Sequence, residues 1–122
     1  AVNSNWSWTN NNVVESPPFG GGYISISVNG SNVVNQPDFG SSIVTYTGSF
    51  SVSIGDTVSV TIYSYANDTF GTQSTLTIQN PNGTTIFNSS DTNPSPGSAS
   101  SISYSWTATS GGITINGYSY SY

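Results

Sequence analysis

Along residues 48–65 (GSFSVSIGDTVSVTIYSY) apolar and small polar residues alternate almost without a break: Phe50, Val52 and Ile54, then, past Gly55-Asp56, Val58, Val60 and Ile62. A period of two sends every second side chain to one face of an extended chain, so both runs read as strands with one greasy face. Val, Ile and Thr suit a pleated, half-buried surface and Gly55 supplies a tight turn, so the stretch predicts a β-hairpin.

The same period recurs elsewhere. Val2, Trp6 and Trp8 share one phase of residues 1–12, against Asn3, Asn5, Ser7 and Thr9. Ile24, Ile26 and Val28 precede Asn29-Gly30, the strongest short hairpin signal, with a return strand over 31–36 that Pro37 ends. A short strand over 42–46 follows. Residues 74–79 and 84–88 flank a second turn, Asn80-Pro81-Asn82-Gly83, and residues 89–98, with two prolines, read as a loop. Ile102, Tyr104, Trp106 and Ala108 alternate again. In the last strand the apolar phase moves from Ile113 and Ile115 to Tyr118, Tyr120 and Tyr122, which predicts a β-bulge at Asn116-Gly117. About eight short strands and no helical pattern imply an all-β fold, an antiparallel β-sandwich of Ig-like or jelly-roll type.

Pro17-Pro18 and Gly20-Gly21-Gly22 punctuate the chain like a spacer. This divides it into residues 1–22, an extended N-terminal strand and its linker, and residues 23–122, the sandwich. The 122 residues otherwise make one domain, large enough to bury about two-thirds of its unfolded surface.

Composition narrows the function. There is no Lys, Arg, His, Cys or Met, and five acids give a net charge of -5. Without a basic side chain the protein cannot neutralise phosphates, which argues against nucleic acid, anionic membranes and nucleotides as partners. Without His or Cys there is no zinc site, Ser-His triad or thiol nucleophile. No apolar run approaches a membrane span. The chain opens on Ala1, which points to a removed signal peptide and an extracellular, cell-surface location. Only the α-amino group can be positive, so acid titrates the protein toward zero charge and the fold should tolerate low pH.

Two carboxylates suffice for glycoside hydrolysis. Asp38, Asp56, Asp68 and Asp91 fall in expected turns or loops and Glu15 in the spacer, where acids bond their own backbone. No run of acids resembles a calcium loop. We therefore expect neither catalytic nor metal-binding residues, no cofactor and no enzymatic activity. Asn5, Asn29, Asn67, Asn82 and Asn88 each begin an Asn-X-Ser/Thr sequon, so N-linked glycans are expected. Tyr118, Tyr120 and Tyr122 form a surface stripe that stacks on sugar rings, pairs across strands or is buried in a subunit interface.

The N-terminal strand decides between readings. Trp6 and Trp8 would each forfeit about 2 kcal/mol or more if left in water. The strand either completes its own sandwich or inserts into a neighbouring copy, with Val2, Trp6 and Trp8 as the inserted residues. Repeated head to tail, insertion builds a filament. In its tail (residues 1–9), Gly20–Gly22 linker, Ser/Thr/Asn/Tyr-rich sandwich, sequons and near absence of charge, the chain resembles the thread filament subunits of acid-living, hot-spring archaea. More distantly it is similar to bundling pili and TasA-like biofilm fibres. The resemblance implies a glycosylated extracellular homopolymer joined by donor-strand complementation, serving adhesion or biofilm formation and resisting heat and acid. The long apolar helix of type IV pilins is missing. The alternative is a secreted monomeric carbohydrate-binding or adhesin module whose partners are surface glycans.

Overall fold

The computed structural model describes residues 2–11, 20–39, 43–66, 71–95 and 97–121. Nine strands run through them: β1 (Val2–Asn11), β2 (Gly20–Val28), β3 (Ser31–Asp38), β4 (Val44–Val52), β5 (Thr57–Ala66), β6 (Thr72–Gln79), β7 (Thr85–Asn93), β8 (Ala99–Thr107) and β9 (Thr114–Ser121). They form a five-stranded sheet, β4-β1-β9-β6-β7, packed on a four-stranded sheet, β3-β2-β5-β8. All pairings are antiparallel except β1 with β9. The protein is an all-β sandwich.

The alternating apolar positions converge on the space between the sheets. Ile24 and Ile26 from β2, Val58, Val60 and Ile62 from β5, Leu76 and Ile78 from β6, and Ile115 from β9 are buried there with Trp6 and Trp8. Both expected turns form. Asn29 (φ 52°) and Gly30 (φ 82°) take the left-handed pair that joins β2 to β3, and Gly83 (φ 85°) closes the β6–β7 turn.

Several expectations are corrected. Residues 48–65 are not a hairpin, because β4 lies in the five-stranded sheet and β5 in the other. The connection at 53–56 crosses the sandwich: Asp56 N–H donates to the Ser53 carbonyl, Gly55 N–H to Ala108, and Ala108 N–H to Asp56. Alternation reveals which face is buried, not which strand lies alongside. Phe50 and Val52 are buried, whereas Ile54 sits in the crossing, 76% exposed. The strand expected over 42–46 and the first half of that hairpin are one element, β4. Strand β3 runs through Pro37, and β7 continues through residues expected to form a loop.

The bulge at Asn116-Gly117 is also absent: β9 keeps unbroken register with both β1 and β6. The inward phase continues as Ile115, Gly117, Ser119 and Ser121, while Tyr118 and Tyr120 occupy the outward phase. Small inward residues are needed because large neighbours fill that end of the core. A Cβ at Gly117 would collide with Ile62 Cδ1 and lie 3.2 Å from Trp8 Cδ1.

The N-terminal strand belongs to the sandwich of its own chain. β1 pairs with β4 from Val2↔Val52 to Asn10↔Val44 and with β9 from Asn5↔Thr114 to Asn11↔Tyr120. Gly20–Gly22, expected as linker, open β2. The remainder of that spacer, residues 12–19 with Glu15, lies outside the described residues, as do Asn67, Asp68 and Tyr122.

Candidate functional site

The slot between β4 and β9 that holds β1 is the most specifically built feature of the molecule. Trp8 is completely buried; its ring stacks on Tyr46 (5.7 Å, 18°) and its Nε1–H donates to Ser119 Oγ at 3.0 Å. Trp6 is 8% exposed and covers Gly48, its partner on β4, where a Cβ would lie 2.6 Å from the indole Nε1. Val2, the third expected insertion residue, is 57% exposed and stays outside the core.

Polar groups fasten the same strand along its length. Ser4 Oγ is buried and accepts the Ile113 N–H at 3.1 Å. Asn10 is buried and donates from Nδ2 to Asp38 Oδ2 at 3.1 Å, which joins β1 to the opposite sheet. Thr9 and Thr45 share a hydroxyl bond at 2.9 Å, and Asn11 Nδ2 donates to the Tyr118 hydroxyl at 2.9 Å. Sequence reading missed Ser4 and Asn10. The available signal was phase, since both lie on the even positions with Trp6 and Trp8. Buried polar pairs of this kind penalise a shifted register.

Beside Tyr46 the Asp38 carboxylate adds to the electrostatics of the slot. Burial first, then the charge of Asp38 and a hydrogen bond to it, raise the Tyr46 pKa above the ordinary tyrosine value. Asp38 lies on β3 and Asp91 on β7 rather than in loops. Asp56 has the expected turn role: its Oδ2 accepts the Ser53 N–H at 2.8 Å and its Oδ1 the Asn29 amide at 2.9 Å, and these bonds lower its pKa. Among the described residues no group of three or more acids could hold a metal ion.

The described sequon asparagines, Asn5, Asn29, Asn82 and Asn88, are spread over the surface. Asn5 and Ser7 face out from β1 and border a shallow hollow of about 370 Å³, with Thr47, Ser49, Thr114 and Asn116 around it. Asn82 and Asn88 are exposed; their side-chain oxygens accept from Thr84 N–H and Thr77 Oγ1. Asn29 is exposed, but its amide is engaged at both ends, by Asp56 and by the Thr57 N–H.

Tyr118 and Tyr120 lie together on the outer face of the five-stranded sheet, ring centres 6.3 Å apart at 22°. A second outer cluster, unforeseen as a group, joins Tyr23, Tyr63, Tyr65 and Phe39 on the other sheet. In the second, Tyr23 and Tyr63 oppose each other across β2 and β5, the cross-strand arrangement that stabilises sheets, whereas Tyr118 and Tyr120 are neighbours along β9 itself. Burial, then the neighbouring Tyr63, raises the Tyr65 pKa. No helix among the described residues is long and apolar enough to cross a membrane. No family model, curated protein or solved structure matches this chain.

Proposed function

We propose that the protein is the structural subunit of an extracellular filament whose copies are joined by exchange of β1. One observation carries the reading: β1 sits between two strands distant in sequence, β4 and β9, while the next strand in the chain, β2, lies in the opposite sheet. β1 can therefore leave its slot with β9-β6-β7 and the whole opposite sheet kept in order, while β4, whose ladder is with β1 alone, stays docked through Phe50 and Val52 in the core. A vacated slot presents two strand edges and an uncovered core, the surface that donor-strand pairing fills.

Seating β1 in its own chain or in a neighbour uses the same contacts, which is the usual basis of strand exchange. Between Asn11 and Gly20 lie eight residues, enough chain to span roughly 30 Å when extended. Fully buried Trp8, with Asn10 on Asp38, makes the site specific for this strand rather than for any extended peptide. Each copy carries a net charge of -5 at neutral pH, and acid that protonates the five carboxylates removes the repulsion that would oppose stacking many copies.

The test compares the full chain with one lacking residues 1–12, imaged by negative stain, and adds a synthetic peptide of residues 1–12 to each. Filaments from the full chain that shorten with added peptide, and a truncated chain that binds the peptide stoichiometrically without polymerising, are expected. A full chain that stays monomeric at every concentration overturns the proposal. A monomer that binds soluble glycans, with loss of binding on Tyr118→Ala or Tyr120→Ala, would establish the carbohydrate-binding alternative.

A further inference from the structure

Sheet edges are aggregation hazards that proteins protect with proline, charge, bulges or covering groups. Three of the four edges here carry such protection. β3 contains Pro37 and has a register shift against β2, and β7 contains Asp91 and has a register shift against β6. β8 is capped by side chains from β7: Asp91 Oδ2 accepts the Ser101 N–H at 2.9 Å, and Asn93 Nδ2 donates to the Ala99 carbonyl at 3.1 Å. The fourth edge, β4, differs. Its register with β1 is unbroken over all its length, it contains no charge and no proline, and among the described residues no side chain hydrogen-bonds its backbone.

The sequence of β4 is also nearly its own mirror. Reading VTYTGSFSV outward from Gly48, Thr47 matches Ser49, Tyr46 matches Phe50, Thr45 matches Ser51 and Val44 matches Val52. Gly48 itself is explained by the overlying Trp6, but Trp6 does not account for the matched flanks. We infer that β4 pairs antiparallel with β4 of a second copy across a two-fold axis at Gly48.

The backbone is oriented for this. The Asn5 N–H donates to the Ile113 carbonyl immediately before β9, so odd residues of β1 turn to β9 and even ones to β4. Gly48 opposes Trp6, so even residues of β4 bond β1 and Thr45, Thr47, Ser49 and Ser51 direct their N–H and C=O groups to the open edge. Two-fold pairing lets these residues exchange about eight hydrogen bonds. Hydroxyls then meet hydroxyls on the outer face, as Thr9 already meets Thr45, and Tyr46 meets Phe50 on the core face. A slip by one residue would reverse every facing. The contact is isologous and closes on itself, so it makes dimers of free chains or joins filaments side by side, and it does not depend on exchange of β1.

Register-specific cross-linking tests it, because the chain has no native cysteine. Thr47 of one copy and Ser49 of the other would lie about 5.5 Å apart at Cα, within disulfide reach, whereas two Thr47 residues would be about 8 Å apart. A mixture of Thr47→Cys and Ser49→Cys chains under mild oxidation should give about tenfold more dimer than either variant alone. Equal yields, or none, overturn the proposal. As a second readout, Thr47→Pro removes one outward N–H and none bonded to β1; it should weaken self-association in sedimentation by about tenfold with circular dichroism unchanged. Unchanged association of that variant would also overturn it. Strand exchange links β1 to β4 or β9 and never β4 to β4, so the two contacts are read separately.

Discussion

Replacing Trp8 by alanine tests whether the N-terminal strand is part of the core. The indole is fully buried, so truncation removes its transfer free energy and leaves a cavity, together about 3 to 5 kcal/mol. The stack on Tyr46 and the Nε1–H bond to Ser119 go with it, which places the expected loss toward the upper end, near 4 to 5 kcal/mol. Unfolding entropy scaled to this chain length converts 4 kcal/mol into a melting-temperature drop of about 15 °C. The assay is urea denaturation followed by far-ultraviolet circular dichroism, at one fixed protein concentration because association adds to apparent stability. Val2→Ala is the internal control: at 57% exposure it should cost under about 0.5 kcal/mol. A Trp8→Ala loss below about 1 kcal/mol, or two variants of equal cost, would refute the reasoning.

Gly117→Val forces a side chain into space held by Ile62 and Trp8 and should cost about 1 to 3 kcal/mol, partly recovered by Ile62→Ala in the same chain; a neutral Gly117→Val would contradict the packing. Tyr46 has a raised folded pKa, so the stability it supports is intact below the unfolded value near 10 and declines as pH rises through the folded one; the alkaline limb of an unfolding titration should flatten in Tyr46→Phe. Asp56 has a lowered folded pKa, so its contribution is present above the unfolded value near 4 and is lost as pH falls through the folded one; Asp56→Asn should remove part of the residual acid dependence seen by calorimetry.

Much of this architecture is legible in residue order, and the exceptions share a cause. Inward phases of β2, β5, β6 and β8 follow directly from Ile24, Val60, Leu76 and Ile102, and the turns at Asn29-Gly30 and Gly83 declare themselves through backbone geometry. Periodicity reports burial of a face but carries no information about which strand is adjacent, so β4 and β5 looked like a hairpin while lying in different sheets. The continuation of β7 through Ser89 to Asn93 was hidden because an edge strand can be polar on both faces. At Gly117 the apparent change of phase came from small inward residues beside outward tyrosines, a packing consequence of Ile62 and Trp8 that only the assembled core reveals. In the slot, the tryptophans were evident from hydrophobicity; Ser4 and Asn10 were overlooked because polar residues were assigned to the surface by type rather than by phase.

The most direct test of strand exchange locks β1 to whichever β4 it meets. Thr9 and Thr45 face each other in the register of β1 with β4, with hydroxyls 2.9 Å apart, and as a pair that does not exchange backbone bonds their Cα atoms lie about 4.5 Å apart, suited to a disulfide. A chain carrying both Thr9→Cys and Thr45→Cys, assembled and then oxidised, is run on a denaturing, non-reducing gel. Exchange of β1 between copies predicts a ladder of covalent oligomers that collapses to monomer on reduction. A single monomeric band, shifted by an internal disulfide at every protein concentration, would show that β1 serves only its own chain.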